Sequence, residues 1–496
     1  MTYHLLTGAT GLLGSYLLRE LYRGGRNVAV VVRPSNRHSA RQRIEDVMLR
    51  WEKTAGYSLP RPVVLEGDIC RPNLGLEPPA IAWLGRHCQS VIHSAASLSF
   101  QADRQTGEPR RSNVEGTRHV LELCRQAGIR QFHHISTAFV CGLREGRVLE
   151  SELDLGQTMG NDYEQSKLDA EKLVRGAEFL ERPTIYRPGT VVGDSRTGYT
   201  ATFHAFYAPL QLVSTVADKV SRELIRSEPF LKMLGLSGQE RKSLVPVDWI
   251  AAVIGHIHGR AELHGQTYHL TPRQPVRVAE ICAAMEQVLL ARSAAAAPAA
   301  GSPAAVDLSG FEHVFREQMD VYKSHWRDDP EFDSSNTAAA APHLPCPVLG
   351  HEDLVRLVRF AVETNFGWPR PPSLAPALDV QEHLDRLLHG ERPDGAAAAG
   401  RRYVNLQVSG PGGGQWKLLM REDVPVAVEA GLSADGAGTF YMNSTTFRRL
   451  VAAPAGAAAA LDDGRVLVEG RGLEPRQMAA MLCAVVGGGG GEKNEG

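Results

Sequence analysis

Cysteine is scarce and unpatterned in this chain. Its seven residues (Cys70, Cys88, Cys124, Cys141, Cys282, Cys346 and Cys483) are odd in number and form no CxxC pair. That argues against a disulfide framework or a zinc site and suits a reducing compartment. Long apolar runs are missing as well, none approaching the roughly 20 residues of a membrane span. Charge of one sign is also lacking. The 54 basic and 56 acidic residues leave a formal net charge of -2, so no overall field draws the chain to nucleic acid or an anionic membrane. There is no internal repeat. The first residues enter an apolar run and a glycine turn with no signal-peptide core, which predicts a cytoplasmic protein. At 496 residues, 43% hydrophobic and 22% charged, the composition is ordinary globular protein, too long for one core.

What is present is alternation. From Thr2 to about Phe139 short apolar runs (HLLT, VAVVVR, PVVLEGDI, SVIHSAA, FHHIST) take turns with amphipathic segments such as LLGSYLLRELYRGG and TRHVLELCRQAG. Strand and helix periods in turn predict βαβ units and an α/β fold with a doubly wound parallel sheet. DYEQSKLDAEKLVRGAEFL continues the pattern as a helix capped by Asn161 or Asp162, and TIYRPGTVVGD as a strand with its loop. From about 197 to 370, bulkier segments including Phe203, Phe206, Tyr207 and SRELIRSEPFLKMLG predict a substrate lobe, interrupted by the Ala/Pro/Ser-rich stretch Ala294 to Ala305. The proline-rich WPRPPSLAPA opens a connector over 371–400, with a helix from Leu378 to Leu388. Strand-like runs at YVNLQVS, WKLLMR, VPVAVEAG, GTFYMN and VLVEG predict a separate small α+β domain over 401–487, before a disordered tail at 488–496.

The loop Thr7-Gly8-Ala9-Thr10-Gly11-Leu12-Leu13-Gly14 joins the first strand to the first helix. Glycines there permit a tight turn and let backbone N–H groups approach a pyrophosphate favoured by the helix N-terminus. The second strand ends at Arg33, where an NAD site would carry an acid. A guanidinium can pair with the 2′-phosphate of NADP, and Arg37 is near enough in sequence to help. Asp68 and Ile69 end the third strand and could contact the adenine. Ala95 and Ala96 follow the fourth and are small enough to let the cofactor cross the sheet edge.

Tyr163 and Lys167 are four residues apart in a predicted helix, so they share a face. An ammonium beside a phenol favours the phenolate and makes tyrosine a workable proton donor and acceptor. Ser136 and Thr137 close the preceding strand. The pair His133 and His134, with His93 and His204, are read as structural histidines, since nothing in their spacing suggests convergence on a metal.

Together TGATGLLG, GDI, HSAA, NVEGT, ISTAFVCG, YEQSK, YRPGTVVGD and VPVDWIA, in that order over about half the chain, resemble the extended short-chain dehydrogenase/reductase family and its Rossmann sheet. The resemblance implies that Thr137 holds the substrate carbonyl, Tyr163 gives the proton, and Lys167 binds the ribose and tunes Tyr163. It also puts Asn113 in a proton relay, and Pro188 to Val191, including Thr190, beside the nicotinamide. Thr137 stands where the family usually has serine, and Cys141 where sugar-nucleotide enzymes often have tyrosine. These departures and the long insertion look closer to fatty acyl-CoA reductases and carrier-protein thioester reductases. The last hundred residues look similar to sterol-carrier-protein-2-like domains, which implies an apolar tunnel for a lipid tail.

The sequence thus leads to an NADP(H)-dependent reductase of a lipophilic fatty-acyl or polyketide thioester, carried on coenzyme A or an acyl carrier protein. A hydroxysteroid-like dehydrogenase or ketoreductase acting on a lipid, a sugar-nucleotide epimerase or dehydratase, and a non-enzymatic lipid carrier stay open, as does a homodimer.

Overall fold

The structure, a computed structural model, describes residues 2–35, 38–216, 226–295, 319–368, 378–388, 402–410, 412–421, 423–433, 436–469 and 474–487. Arg37 lies outside them. So do 217–225 of the expected lobe, the Ala/Pro/Ser-rich stretch beyond its first two residues, the 371–400 connector apart from 378–388, and the 488–496 tail. Internal contacts divide the chain into two units, Met1–Pro34 with Val63–Arg370, and Ser35–Pro62 with Pro371–Gly496.

The first unit is built on seven parallel strands. They are β1 (Tyr3–Thr7), β2 (Asn27–Val32), β3 (Val63–Glu66), β4 (Cys88–His93), β5 (Gln131–Ile135), β6 (Thr184–Pro188) and, beyond the short pair β7 (Thr190–Val192) and β8 (Leu244–Pro246), β9 (Thr267–Leu270). Their order is β9-β6-β5-β4-β1-β2-β3. The order reverses between β1 and β4, the crevice where doubly wound sheets take their ligands. Val28 to Val32 of β2 are all buried, as expected of a strand covered on both faces and therefore apolar at every position.

Leu5, Ala29, Val31, Val91, Phe132 and Ile185 share one core cluster with side chains of the crossover helices α3 (Pro78–His87), α4 (Gly116–Ala127) and α5 (Asp162–Arg175). Helix α1 (Leu12–Arg23) packs on α8 (Val247–His258), where Gly255 lies against Glu20. In the lobe, α6 (Tyr207–Val216), α9 (Val278–Ala295) and α10 (His351–Glu363) share a second cluster containing Phe206, Leu210, Met285 and Val358. Helix α7 (Ser227–Leu234) lies between α6 and α8 in sequence.

His133 and His134 are packed core residues. His133 lies 4.7 Å and 4.6 Å, ring to ring, from His258 and His264 and hydrogen-bonds the Tyr186 hydroxyl at 3.1 Å, while His134 stacks on Phe132. Burial pushes both imidazoles well below their ordinary range.

The second unit holds a mixed sheet of β10 (Arg402–Ser409), β11 (Gly414–Arg421), β12 (Val424–Ala430), β13 (Thr439–Asn443) and β14 (Leu467–Glu469). The order is β12-β11-β10-β13-β14, and only β10 and β13 run parallel. Its core joins Trp416, Phe440 and Phe447 to residues of α11 (Val380–Leu388) and α13 (Pro475–Gly487), with Leu450 of α12 (Ser444–Ala452). Helix α2 (Ala40–Ala55), between β2 and β3 in sequence, belongs to this unit. Ser409 Oγ donates to Glu52 at 3.3 Å, and Ser58 Oγ donates to Arg465 O at 2.6 Å.

Helix α5 carries the expected pair Tyr163 and Lys167, and its start follows from Asn161, whose side chain accepts from Glu164 N–H. It ends at Arg175 with Gly176 as cap rather than running on to Leu180, because glycine is a poor helix residue, and Gly176 N–H and Ala177 N–H close the last turn on the Lys172 and Val174 carbonyls. Its anchor is Glu171. The carboxylate pairs with Arg187 of β6 at 2.7 Å, accepts from Ser136 Oγ at 2.7 Å and from Arg175 at 2.8 Å. Burial works to raise this carboxyl, but the charge and hydrogen bonds of Arg187, then Arg175 and Ser136, hold it below its ordinary value. Glu171→Gln leaves the Arg187 charge buried without its partner, so it is expected to lower stability by about 3–5 kcal/mol, read as a lower urea midpoint. An unchanged midpoint would remove Glu171 as the anchor of α5.

Candidate active site

The cofactor end is fixed by close backbone approach. Gly8 has φ +76°, and a Cβ there would lie 2.7 Å from Ala95 N; a Cβ on Gly14 would lie 2.0 Å from Gly8 O. Thr7 Oγ1 ties β1 to β4, bonding His93 Nδ1 at 2.8 Å and accepting from Ser94 N–H and Ala95 N–H at 3.2 Å each. Gly11 caps α1 with no side chain, so no cap competes for the N–H groups of the first turn at Leu12, Leu13 and Gly14. This bare helix start, facing the cavity with Gly8, Gly11 and Ala96 beside it, fits a dinucleotide pyrophosphate. Thr10 lies within the same turn.

Arg33 extends from the end of β2 with its side chain 63% exposed and a guanidinium nitrogen 4.0 Å from Asp68 Oδ2. Asp68 is held by Cys70 N–H at 2.9 Å, and the Ile69 carbonyl bonds His119 at 2.8 Å. Arg33, Asp68 and Ile69 therefore meet at the β2–β3 edge of the crevice.

Thr137, Tyr163 and Lys167 converge on one cavity of about 450 Å³. Thr137 follows β5, and its Oγ1 accepts from Phe139 N–H at 3.3 Å and contacts Pro188 O at 3.5 Å. Burial first, and the neighbouring Glu164 carboxylate second, raise the phenol above its ordinary range. Lys167 is buried, and its Nζ donates to Ile135 O at 2.6 Å. Burial lowers its ammonium to about 8 against the opposing charge of Glu171. Pro188, Thr190 and Val191 line the same cavity.

Asn113 sits behind this wall, buried in the turn before α4. Its amide donates to Ser97 O at 3.0 Å and Ser166 Oγ at 2.8 Å, and its carbonyl accepts from Ser97 N–H at 2.8 Å. It thus joins the loop after β4 to α5. Among the described residues no group of three or more His, Cys, Asp or Glu is placed to hold a metal.

Several wall residues carried no signal in the sequence. Phe100 stacks on Tyr163 with ring centres 5.7 Å apart. Tyr322, His325 and Trp326 come from a segment far along the chain, and Ile281, Cys282 and Met285 from one face of α9. The last group shows i, i+1, i+4 spacing, a helical stripe that could equally have been core.

The family described as Male sterility protein, an NAD-binding family, matches residues 6–254. The terminal R domain of the myxalamid PKS-NRPS pathway is a similar solved structure, 27% identical, covering 75% of this chain and 93% of that one with a TM-score of 0.59. Nonribosomal peptide synthetase asaC of Aspergillus flavus is 28% identical over 282 residues, 54% of this chain and 26% of its own length. Isonitrile lipopeptide synthase of Streptomyces coeruleorubidus is 34% identical over 203 residues, 39% of this chain and 13% of its own length. The chain therefore spans about a quarter or less of these curated relatives.

Gly14→Ala drives a methyl into the Gly8 carbonyl, so the loop must open. Binding of a reduced nicotinamide dinucleotide, followed by its fluorescence, is expected to weaken roughly tenfold or more, about 1.4 kcal/mol; unchanged binding would free the loop of that task. With the glycine loop, Thr137, Tyr163 and Lys167 on one cavity and half the sequence matched, the chain belongs to the Male sterility protein family and is an NAD(P)-dependent oxidoreductase.

Proposed function

We propose that this protein reduces a lipophilic acyl thioester, presented on coenzyme A or an acyl carrier protein, to an aldehyde, with NADPH as reductant. The observation that carries the reading is one cavity whose wall passes from the glycine loop, through Thr137, Tyr163 and Lys167, to the apolar side chains of Leu98, Phe206, Leu244, Ile281 and Met285. Such a wall suits an acyl chain. The likeness to a solved terminal R domain and to peptide synthetases supports a thioester over a free ketone.

When bound, the reduced nicotinamide supplies the hydride. The chain's own part is to hold and protonate the carbonyl. Thr137 and Tyr163 donate hydrogen bonds to its oxygen, stabilising the charge that develops there. A phenol held above its ordinary range stays protonated at neutral pH, the form a proton donor requires. Lys167, tethered by Ile135 O, turns its remaining N–H groups to the ribose. Arg33 beside Asp68 would take the 2′-phosphate.

The apolar interior of the C-terminal unit suits a lipid-binding, sterol-carrier-protein-2-like role. Seven free thiols suit a cytoplasmic home, and among the described residues no helix is long and apolar enough to cross a membrane.

The test follows NADPH absorbance and free thiol together with long-chain acyl thioesters, lipophilic ketones and aldehydes. Matched NADPH loss and thiol release are expected, and consumption with ketones alone would replace thioester reduction by ketone reduction. Tyr163→Phe should lower turnover about 10²- to 10⁴-fold with NADPH binding retained, and undiminished turnover would dismiss Tyr163 as the proton donor. Arg33→Asp should shift the ratio of kcat/KM from NADPH towards NADH by at least about tenfold; a constant ratio would mean that Arg33 does not read the phosphate.

A further inference from the structure

Reduction of a thioester has a second proton to place, because the departing sulfur must leave as a thiol or as a thiolate. An alkyl thiol ionises near 8.5, and expelling its anion into an apolar pocket is costly. Tyr163 is committed to the oxygen. Among the described residues of the cavity wall, His325 is a side chain able to deliver a proton with a second acid, Glu164, beside it.

His325 ends a short turn, Asp320–His325, and lines the cavity. Its ring stacks on Phe100 at 5.1 Å and meets Phe139 edge-on at 5.2 Å, while Phe100 in turn stacks on Tyr163. Lys242 fixes the backbone here, its Nζ donating to His325 O at 2.5 Å and Arg327 O at 2.6 Å and pairing with Asp329 at 3.0 Å. The ring therefore has a defined place on the wall that also carries Tyr163, with Phe100 stacked on both.

Its protonation state follows from its neighbours. Asn161 Oδ1 accepts from Glu164 N–H at 2.9 Å, which fixes the other end of that amide as the nitrogen. Asn161 Nδ2 points at His325 Nε2, 3.3 Å away, and an amide N–H can only donate. As a hydrogen bond this contact makes His325 Nε2 the acceptor and puts the neutral ring's proton on Nδ1, with Asn161 Nδ2 donating also to Glu164 Oε1 at 3.1 Å. Glu164 Oε1 lies 3.4 Å from the same Nε2. Burial raises the Glu164 carboxyl to about 7, against the hydrogen bonds of Gly160 N–H and Asn161 and the charge of Arg327. Burial, Lys242 and Arg327 lower the His325 imidazole to about 4. Tyr163, Lys167, His204, Cys282, Tyr322 and Asp329 are the remaining titratable groups of the cavity wall.

We propose that His325 is a catalytic residue that protonates the departing thiol, with Glu164 as the acid that refills it. This rests on the thioester reading. Once the carbonyl carbon has gained hydride and its oxygen the Tyr163 proton, the substrate is a hemithioacetal. The Tyr163 phenolate takes the hydroxyl proton back as the C=O bond re-forms. The C–S bond breaks with its electron pair on sulfur, His325 Nδ1–H protonates that sulfur, and the Glu164 acid proton passes to Nε2. Aldehyde and thiol leave; His325 Nδ1 then takes a proton from solvent as the Nε2 proton returns to the Glu164 carboxylate, which restores both groups. Because the acid form of Glu164 is present below about pH 7, alkyl-thioester turnover falls as pH rises through that value.

The experiment compares an alkyl acyl thioester with the aryl thioester of the same acyl group, whose more acidic thiol needs no protonation, and with the matched aldehyde. His325→Phe keeps the stack on Phe100 but lacks the nitrogens. It is expected to lower the ratio of alkyl to aryl turnover by at least about tenfold, with NADPH affinity measured in parallel. Glu164→Gln should lower the same ratio and flatten the fall above pH 7. An unchanged ratio in both variants, whether or not absolute rates drop, overturns the proton-delivery role and leaves a packing role. Wild-type protein that reduces the aldehyde yet releases no thiol from either thioester overturns the thioester reading, and this pair with it.

Discussion

The active centre depends on one buried carboxylate. Glu171 sits on the inner face of α5, two turns beyond Tyr163 and one beyond Lys167, and its two oxygens engage Arg187 of β6 and the hydroxyl of Ser136 after β5. Those contacts set the height and rotation of the helix against two adjacent strands. They also set how far Tyr163 stands from Thr137, the residue after Ser136. Two charges so deeply buried give little net stability relative to apolar packing, but either one alone is costly. The pair therefore acts as a register pin, since a rotated α5 would strand both.

A second constraint works on the neighbouring strands β4 and β1. Thr7 and Gly8 close the gap between β1 and β4, one through a hydroxyl that serves three partners and the other through the absence of a side chain. The crevice exists because strand order reverses there, and it stays narrow because nothing larger than hydrogen fits between Gly8 and Ala95. Cofactor loop and catalytic helix are thus positioned by separate networks on neighbouring strands. Asn113 links the two sides by holding the loop after β4 to Ser166 of α5.

The cavity continues into the lobe, where chemistry gives way to selection. The α9 stripe and Phe206 present hydrocarbon, and the segment around His325 closes the wall over Phe100 and Tyr163. That segment is held by Lys242, whose ammonium gathers two carbonyls and Asp329. Arg327 adds bonds to the carbonyls of Gly142, Leu143 and Arg144. Cationic side chains thus take the place of a sheet ladder in fixing an irregular strand of chain beside the reacting atoms, as buried carbonyls require partners.

Local chemistry was legible in the sequence, and long-range assembly was not. The glycine loop, the four-residue spacing of Tyr163 and Lys167, the Asn161 cap and the apolar strands β1 to β6 are set by turn stereochemistry, helix periodicity and burial on both faces. Each of these acts over a few residues. The seventh strand β9 joins the sheet edge beside β6 only after the chain has returned from the lobe. The grouping of 35–62 with the C-terminal sheet depends on Glu52 meeting Ser409 and Ser58 meeting Arg465, contacts between residues hundreds of positions apart. Phe100, His325 and Lys242 likewise became wall residues only once folding had brought three distant segments to one face. Sequence alone determined which residues could bind a dinucleotide and move a proton. The tertiary structure decided what surrounds them, because packing and desolvation are set by neighbours that no local pattern names.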